Sequence, residues 1–456
     1  MMCRVARLGA GGPRRLVGWD GMALSLGVTV LAMGAGYLQK LPCDLAGWPN
    51  RNEELYQRFC YSDVPVLFRD RGLIDGVFPY DATSRPLEYP VVTGLVMDAT
   101  GRLTRLLAAG ADEAAMVRLY FGLNTVLLLA FALVITAAVR LLVIRAGGRP
   151  REALLFAAAP GLVVTGTINW DLVALAVAVL ALLAWSSRQP VIAGIFIGVG
   201  TATKLFPGLI LVPLVVLGWR YRRLPAVAAA TVAAAVAWAA VNLPIAVLYP
   251  QGWLEFFRFN SDRGADIGSA WYALERVGLT VPHLNVLAPL GFLALLLAIV
   301  VFALRSAVPP TAARLTFLVI AAFLLTNKVY SPQYVLWMLL FAVVALCGVP
   351  ARRALPAFAA WQAAEVSYWL MVWPHLLNGH HLIGATGVLY MSALAARMLT
   401  TAWLCVVVAR AAWNEPDAPI APLDLDTVTS SSLGRGGGPD DPAGTGHGGV
   451  SCLSGT

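Results

Sequence analysis

Apolar runs alternate with short arginine-bearing connections and with longer polar segments along almost the whole chain. The runs fall at 21–37, 117–144, 153–168, 172–185, 191–203, 208–219, 225–248, 284–304, 314–326, 335–347, 355–373 and 384–408. Read as bilayer crossings, they make about twelve helices, several of them short. The connections at 145–151, 220–223, 305–314 and 352–353 all carry arginine, which places them on the cytoplasmic side. Both termini then fall on that side too. The polar segments fall on the opposite, extracytoplasmic side, and two of them are long, 40–116 and 249–283. Inside the first, 91–107 is apolar but carries Asp98, Arg102 and Arg105, so it predicts an interfacial or re-entrant helix rather than a crossing. The pattern therefore predicts an all-α, polytopic protein of the plasma membrane. It has a cytoplasmic stretch over 1–20, a transmembrane domain over 21–411 and a cytoplasmic tail over 412–456. No repeat of the kind that builds transporters from two halves is visible.

Composition sharpens this picture. The 456 residues are 59% hydrophobic and 13% charged, about half the charge of a soluble domain. The net charge of +8 comes from arginines at the ends of apolar runs, so it implies no nucleic-acid partner. Arg4, Arg7, Arg14 and Arg15 precede the first run, and no small-residue cleavage site follows it. That predicts an uncleaved signal anchor. The tail is rich in Gly, Ser, Asp and Pro and predicts disorder. The six cysteines form no Cys-x-x-Cys pair or Cys/His cluster, so no structural zinc is implied. Cys3, Cys347 and Cys405 fall in membrane or inner segments and Cys452 in the tail. Cys43 and Cys60 fall in the first outer segment, on the oxidising side. A bridge there would be worth about 3 kcal/mol in the chain-entropy model; two free thiols are the alternative.

The candidate chemistry gathers in the outer segments. Asp63 lies just beyond the first run, where a carboxylate can take a proton from a sugar hydroxyl; a solvated loop carboxylate is the alternative. In Glu88-Tyr89-Pro90 the proline biases the chain to extended geometry and can aim Glu88 and Tyr89 at a site, or simply start a helix. Lysine occurs only at Lys40, Lys204 and Lys328. In so arginine-biased a chain, lysines at the outer ends of two runs suit Lys204 and Lys328 to phosphate binding, with snorkelling as the alternative. Asn169-Trp170-Asp171 puts polar groups in an apolar segment. There they need partners, so Asp171 is expected to pair with Lys204 or to orient the site. Asn327, Tyr330 and Gln333 suit hydroxyl or phosphate contacts, and Asn327 equally suits a helix cap. Arg263, Asp266, Trp271 and Tyr272 combine charge with aromatics, as a sugar or headgroup site would. His375, His380 and His381 have no acidic partner at metal-ligand spacing and read as loop histidines.

Taken together, Ser62-Asp63, Arg71-Gly72, Phe78-Pro79-Tyr80, Glu88-Tyr89-Pro90, Asn169-Trp170-Asp171, Lys204-Leu205-Phe206-Pro207 and Ser331-Pro332-Gln333-Tyr334 resemble the GT-C integral membrane glycosyltransferases. The resemblance is to the actinobacterial group that uses polyprenyl-phosphate mannose as donor, and it spans about 21–410. It implies inverting transfer of a mannosyl or other hexosyl residue to a lipid-linked or glycolipid acceptor in the membrane. Asp63 maps to the family's general base. The family's Tyr-Pro-Pro is Tyr89-Pro90-Val91 here, without its second proline. No Asp-x-Asp stands in the first outer segment, so no metal or other cofactor is implied. A transporter or flippase of a lipid-linked saccharide, or a non-catalytic membrane scaffold, are the rival readings.

Overall fold

The computed structural model describes residues 19–81, 85–382 and 384–414. The arginines of the expected signal anchor, Cys3, Cys452 and the tail expected to be disordered lie outside the described residues. Eighteen α-helices and no strand occur among the described residues.

The first helix, α1 (Trp19–Leu45), runs about two turns past the end of the first apolar run. Lys40 and Cys43 therefore sit on a helix, not in a loop as the sequence suggested. The first polar segment is also ordered. It contains α2 (Asn52–Gln57), α3 (Asp63–Asp70) and α4 (Val91–Leu107). Helix α5 (Glu113–Arg145) follows, with Asp112 as N-cap accepting from the Ala115 amide at 2.7 Å.

The run at 153–168 is not one crossing. It breaks into a short 3₁₀ turn, α6 (Leu154–Ala157) and α7 (Pro160–Thr165). Pro160 has no amide hydrogen with which to extend α6, and the chain leaves helix again after Thr165. This break positions the site. Then come α8 (Asp171–Ser186), α9 (Pro190–Thr203), α10 (Leu211–Arg220) and α11 (Leu224–Leu248). The second polar segment holds α12 (Pro250–Asp262) and α13 (Ala270–Arg276). The rest is α14 (Leu284–Arg305), α15 (Ala312–Thr326), α16 (Val335–Ala345), α17 (Ala351–Leu377) and α18 (Ala385–Asn414).

Five helices, α1, α5, α11, α14 and α18, are long and apolar enough to cross a membrane. The others in the expected series are shorter apolar helices of 10–17 residues, or carry more polar groups. Of the short apolar ones, α8, α15 and α16 are almost wholly enclosed in the bundle, whereas α9 and α10 each keep an exposed apolar side. Helix α9 packs closely on α11. Gly194 and Gly198 lie against the carbonyls of Ala230 and Ala234, where any Cβ would collide. This is the small-residue spacing that lets two membrane helices approach.

The helix ends segregate. Arg145 bonds the Leu183 carbonyl at 3.1 Å and Ser187 at 2.8 Å. Arg220 reaches the carbonyls of Ala303 and Ser306, and Arg314 those of Ala345 and Cys347, both at 3.1 Å. The arginine-bearing ends thus cap one another's carbonyls, and the polar motifs gather at the opposite ends of the same helices.

At the motif end, Cys43 and Cys60 form a disulfide with Cα atoms 6.1 Å apart. It ties α1 to the segment that leads into α3. Arg69 adds a second tether, bonding the Trp48 carbonyl at 2.6 Å and Glu113 at 2.6 Å. We expect unreduced, denatured protein to gain two titratable thiols on reduction, mapping to Cys43 and Cys60. Cys43→Ser is expected to cost about 3 kcal/mol of stability, read as a lowered unfolding midpoint.

Candidate active site

Where α7 ends, the carbonyls of Thr167 and Ile168 are left without intrahelical partners. The first polar segment supplies them. The Ser62 hydroxyl donates to the Thr167 carbonyl at 2.7 Å, and the Asp63 amide donates to that of Ile168 at 2.8 Å. Ser62 is also the N-cap of α3, accepting from the Val64 amide at 3.2 Å. One serine therefore starts α3 and docks it on the broken helix. Asp63, the first residue of α3, is fixed by that docking.

The Asp63 carboxylate is held from both sides. Oδ1 accepts from the Tyr61 hydroxyl at 2.8 Å, and Oδ2 accepts from Asn169 Nδ2 at 2.6 Å. The same Asn169 nitrogen donates to the Tyr89 hydroxyl at 2.6 Å. Asn169 Oδ1 accepts from the Trp170 amide at 2.6 Å, which fixes the amide so that its nitrogen faces the carboxylate. Burial raises the pKa of Asp63; the bonds from Tyr61 and Asn169 and the charge of Lys204 oppose that rise. The result is a carboxylate more basic than a solvated one. Burial raises Tyr61 and Tyr89 as well, with the Asp63 charge adding to it, so both stay protonated donors.

Lys204, just past the end of α9, pairs with Asp171 at 3.1 Å. Asp171 Oδ1 also accepts from Trp337 Nε1 at 2.6 Å. The ammonium sits 5.4–5.8 Å from the ring centroids of Tyr89, Tyr334 and Trp337, an arrangement that stabilises a cation in a poorly hydrated place. Lys328 is placed differently. Its ammonium donates to the carbonyls of Ser261 at 3.2 Å and Arg263 at 2.7 Å, and to the Asn285 side chain. Two of its hydrogens thereby hold the second polar segment and the third holds the start of α14. Burial and the neighbouring Arg263 lower its pKa.

These groups share a cavity of about 510 Å³, within the size range of small-molecule sites. Asp63, Glu88, Tyr89, Asn169, Lys204, Arg263, Asn327, Lys328 and Gln333 all line it. Asp171 does not; it stands behind Lys204 as its counter-ion. Glu88 makes a two-pronged ion pair with Arg71, both contacts 2.8 Å, so it braces the wall. Asn327 is the C-cap residue of α15, and its Nδ2 donates to the Val329 carbonyl at 3.0 Å. Arg263 pairs with Asp266 at 3.3 Å. A smaller chamber of about 210 Å³ adjoins the first and shares Tyr89, Pro90, Leu205 and Phe256 with it. Its remaining wall is largely aromatic and aliphatic, with Trp238, Trp253 and Phe257.

The histidines are not loop residues as a group. His375 is buried within α17, and its Nε2 lies 2.8 Å from the Tyr272 hydroxyl, which also meets His380 at 2.9 Å. Among the described residues, no three His, Cys, Asp or Glu side chains gather closely enough to hold a metal ion.

Sequence reasoning missed the anchor of the 328–334 wall. Arg397 of α18 and Glu365 of α17 form an ion pair at 2.8 Å, with side chains 0% and 2% exposed. Arg397 donates to the carbonyls of Tyr330 at 2.7 Å and Ser331 at 3.1 Å. Tyr330 returns its hydroxyl to Glu365 at 2.9 Å. From the other side Gly268 presses on the Tyr330 carbonyl so closely that no Cβ fits. An arginine and a glutamate inside apolar runs are the one sequence signal that pointed here.

Residues 89–332 match the sequence profile of Glycosyltransferase family 87. A search of curated proteins gives no match.

Removing one member of a buried ion pair strands the other. Arg397→Met and Glu365→Met are each expected to destabilise the protein by about 3–5 kcal/mol. The double variant should lose less than the sum, which a double-mutant cycle on unfolding midpoints reads directly.

Proposed function

The chain belongs to glycosyltransferase family 87, and from that we propose that it moves a hexosyl residue from a polyprenyl-phosphate sugar to a lipid-linked or glycolipid acceptor, inverting the anomeric centre. Its five long apolar helices make it a membrane glycosyltransferase. The observation that carries the proposal is the shared cavity, in which a deeply set carboxylate and a buried lysine face one space. Mannose as the sugar rests on the motif resemblance.

In this reaction the acceptor hydroxyl attacks the anomeric carbon in one displacement. Asp63 takes the hydroxyl proton. The bond from the anomeric carbon to the phosphate oxygen breaks, and its electron pair leaves with the phosphate. Lys204 stabilises the charge that develops there; Arg263, at the same cavity, adds to the field. The adjoining aromatic chamber offers the first units of the isoprenoid chain an apolar place beside the phosphate. Tyr61 and Asn169 orient the base and keep its lone pairs directed, which is a positioning effect. The Cys43–Cys60 bridge supports an extracytoplasmic site, since such bridges persist in oxidising compartments. No observation favours the transporter reading.

Transfer by purified protein from radiolabelled polyprenyl-phosphate mannose tests the reading. Asp63→Asn is expected to lose about 10²–10⁴-fold in rate with donor binding retained; wild-type turnover would remove Asp63 from the role of base. A base works only when ionised, and burial raises the Asp63 pKa. The rate should therefore fall as pH drops, beginning at a higher pH than for a solvated aspartate. Tyr61→Phe removes a bond that favours the ionised form, so it should move that acid limb to still higher pH. Lys204→Ala should raise the donor KM far more than Lys328→Ala, because the Lys328 hydrogens already serve carbonyls.

A further inference from the structure

Asp63 divides the cavity into two unlike sides. Its Oδ2 faces Asn169 and Tyr89, and Tyr89 in turn lies under the Lys204 ammonium. The apolar chamber opens on this same side, through Tyr89, Pro90 and Leu205. Its Oδ1 faces Tyr61, which belongs to a separate group of rings. Tyr56 stacks on Trp373 with centroids 5.6 Å apart and planes 21° apart. Tyr61 stands 5.4 Å from Trp373 and 5.5 Å from Tyr56. All three line the cavity. The ammonium nearest this group is that of Lys40, and it donates to the Tyr61 carbonyl at 2.7 Å from within α1. The indole nitrogen of Trp373 is buried and has no hydrogen-bond partner.

A single displacement requires the incoming hydroxyl to approach the anomeric carbon from the face opposite the departing phosphate. The cation and the lipid-sized chamber both lie on the Oδ2 side. The acceptor must therefore approach from the Oδ1 side. What it meets there is three aromatic rings and a Tyr61 hydroxyl already bonded to the base. Aromatic faces bury the C–H face of a sugar ring. Nothing there suits a phosphate.

We propose that Tyr56, Tyr61 and Trp373 form the acceptor subsite, and that it takes a neutral saccharide ring, the terminal sugar of a glycoside, rather than a bare lipid alcohol. This rests on the donor-side reading given above. In the step itself, the oxygen of a hydroxyl on the acceptor ring forms the new bond to the anomeric carbon. Its proton passes to Asp63, and the phosphate leaves toward Lys204 with the bonding electrons.

Two measurements separate this subsite from the donor reading. The first needs no donor: titration of the purified protein with a short-chain alkyl mannoside below its micelle concentration, against the matching alkyl alcohol. Saturable binding of the mannoside alone is expected. Tyr56→Ala, on a partly exposed helix, should weaken it about tenfold, as should Trp373→Leu; Trp373→Phe, which keeps a smaller aromatic face, should weaken it less. The second is transfer from radiolabelled polyprenyl-phosphate mannose to the same two acceptors. Tyr56→Ala should raise the acceptor KM more than the donor KM. Equal binding of alcohol and mannoside would overturn the subsite, as would unchanged mannoside affinity in folded Tyr56→Ala and Trp373→Phe. Mannoside binding with no transfer from this donor would sink the donor reading and leave the subsite standing.

Discussion

A broken helix deep in an apolar bundle leaves carbonyls that must be satisfied, and this structure satisfies them with the loop that carries its central carboxylate. Thr167 and Ile168 have no helical partners. Far from water, each such carbonyl costs free energy comparable to a lost hydrogen bond. Ser62 and the Asp63 amide remove that cost. The docking also brings Asp63 within reach of Asn169, the next residue along the same break. Helix interruption, loop docking and the set of the carboxylate are thus one event. Undoing any of them exposes unpaired groups in a place where nothing else can pair them.

The chain's three lysines show how differently one residue type can be spent. Lys40 caps the Tyr61 carbonyl from α1. Lys328 caps two carbonyls of the second polar segment. Lys204 alone spends its charge on a carboxylate and three rings at the cavity wall. Their scarcity in the sequence marked Lys204 and Lys328, and all three lysines are buried, but their partners depend on tertiary geometry.

Much of the fold was legible because apolar runs and arginine-bearing connections obey strong physical rules. The run at 172–185 became α8 and that at 191–203 became α9, each within a residue or two. The run at 153–168 misled because hydropathy does not register a missing amide hydrogen; Pro160 did. The cavity was partly legible as well. Scarce polar residues beside apolar runs have few places to go except toward each other, so nine of the positions picked from motifs share one cavity. What stayed hidden were pairs separated by tens of residues with no periodic link. Arg397 and Glu365 lie on different helices, and Tyr56, Tyr61 and Trp373 converge from α2, the segment before α3, and α17.

The Lys204–Asp171 pair has a consequence for turnover. A sugar phosphodiester carries about one negative charge, and the phosphate monoester left after transfer carries about 1.5 to 2. A free lysine would hold the more highly charged product most tightly and so slow its departure. Here Asp171 already claims a share of the ammonium at 3.1 Å. In the proposed reaction, the departing phosphate would meet a cation strong enough to steady charge as it develops but already partly neutralised once it has formed. On the proposed donor, Asp171 would thereby shorten the residence of the spent carrier and leave the emptied cavity with its charges paired before the next donor enters.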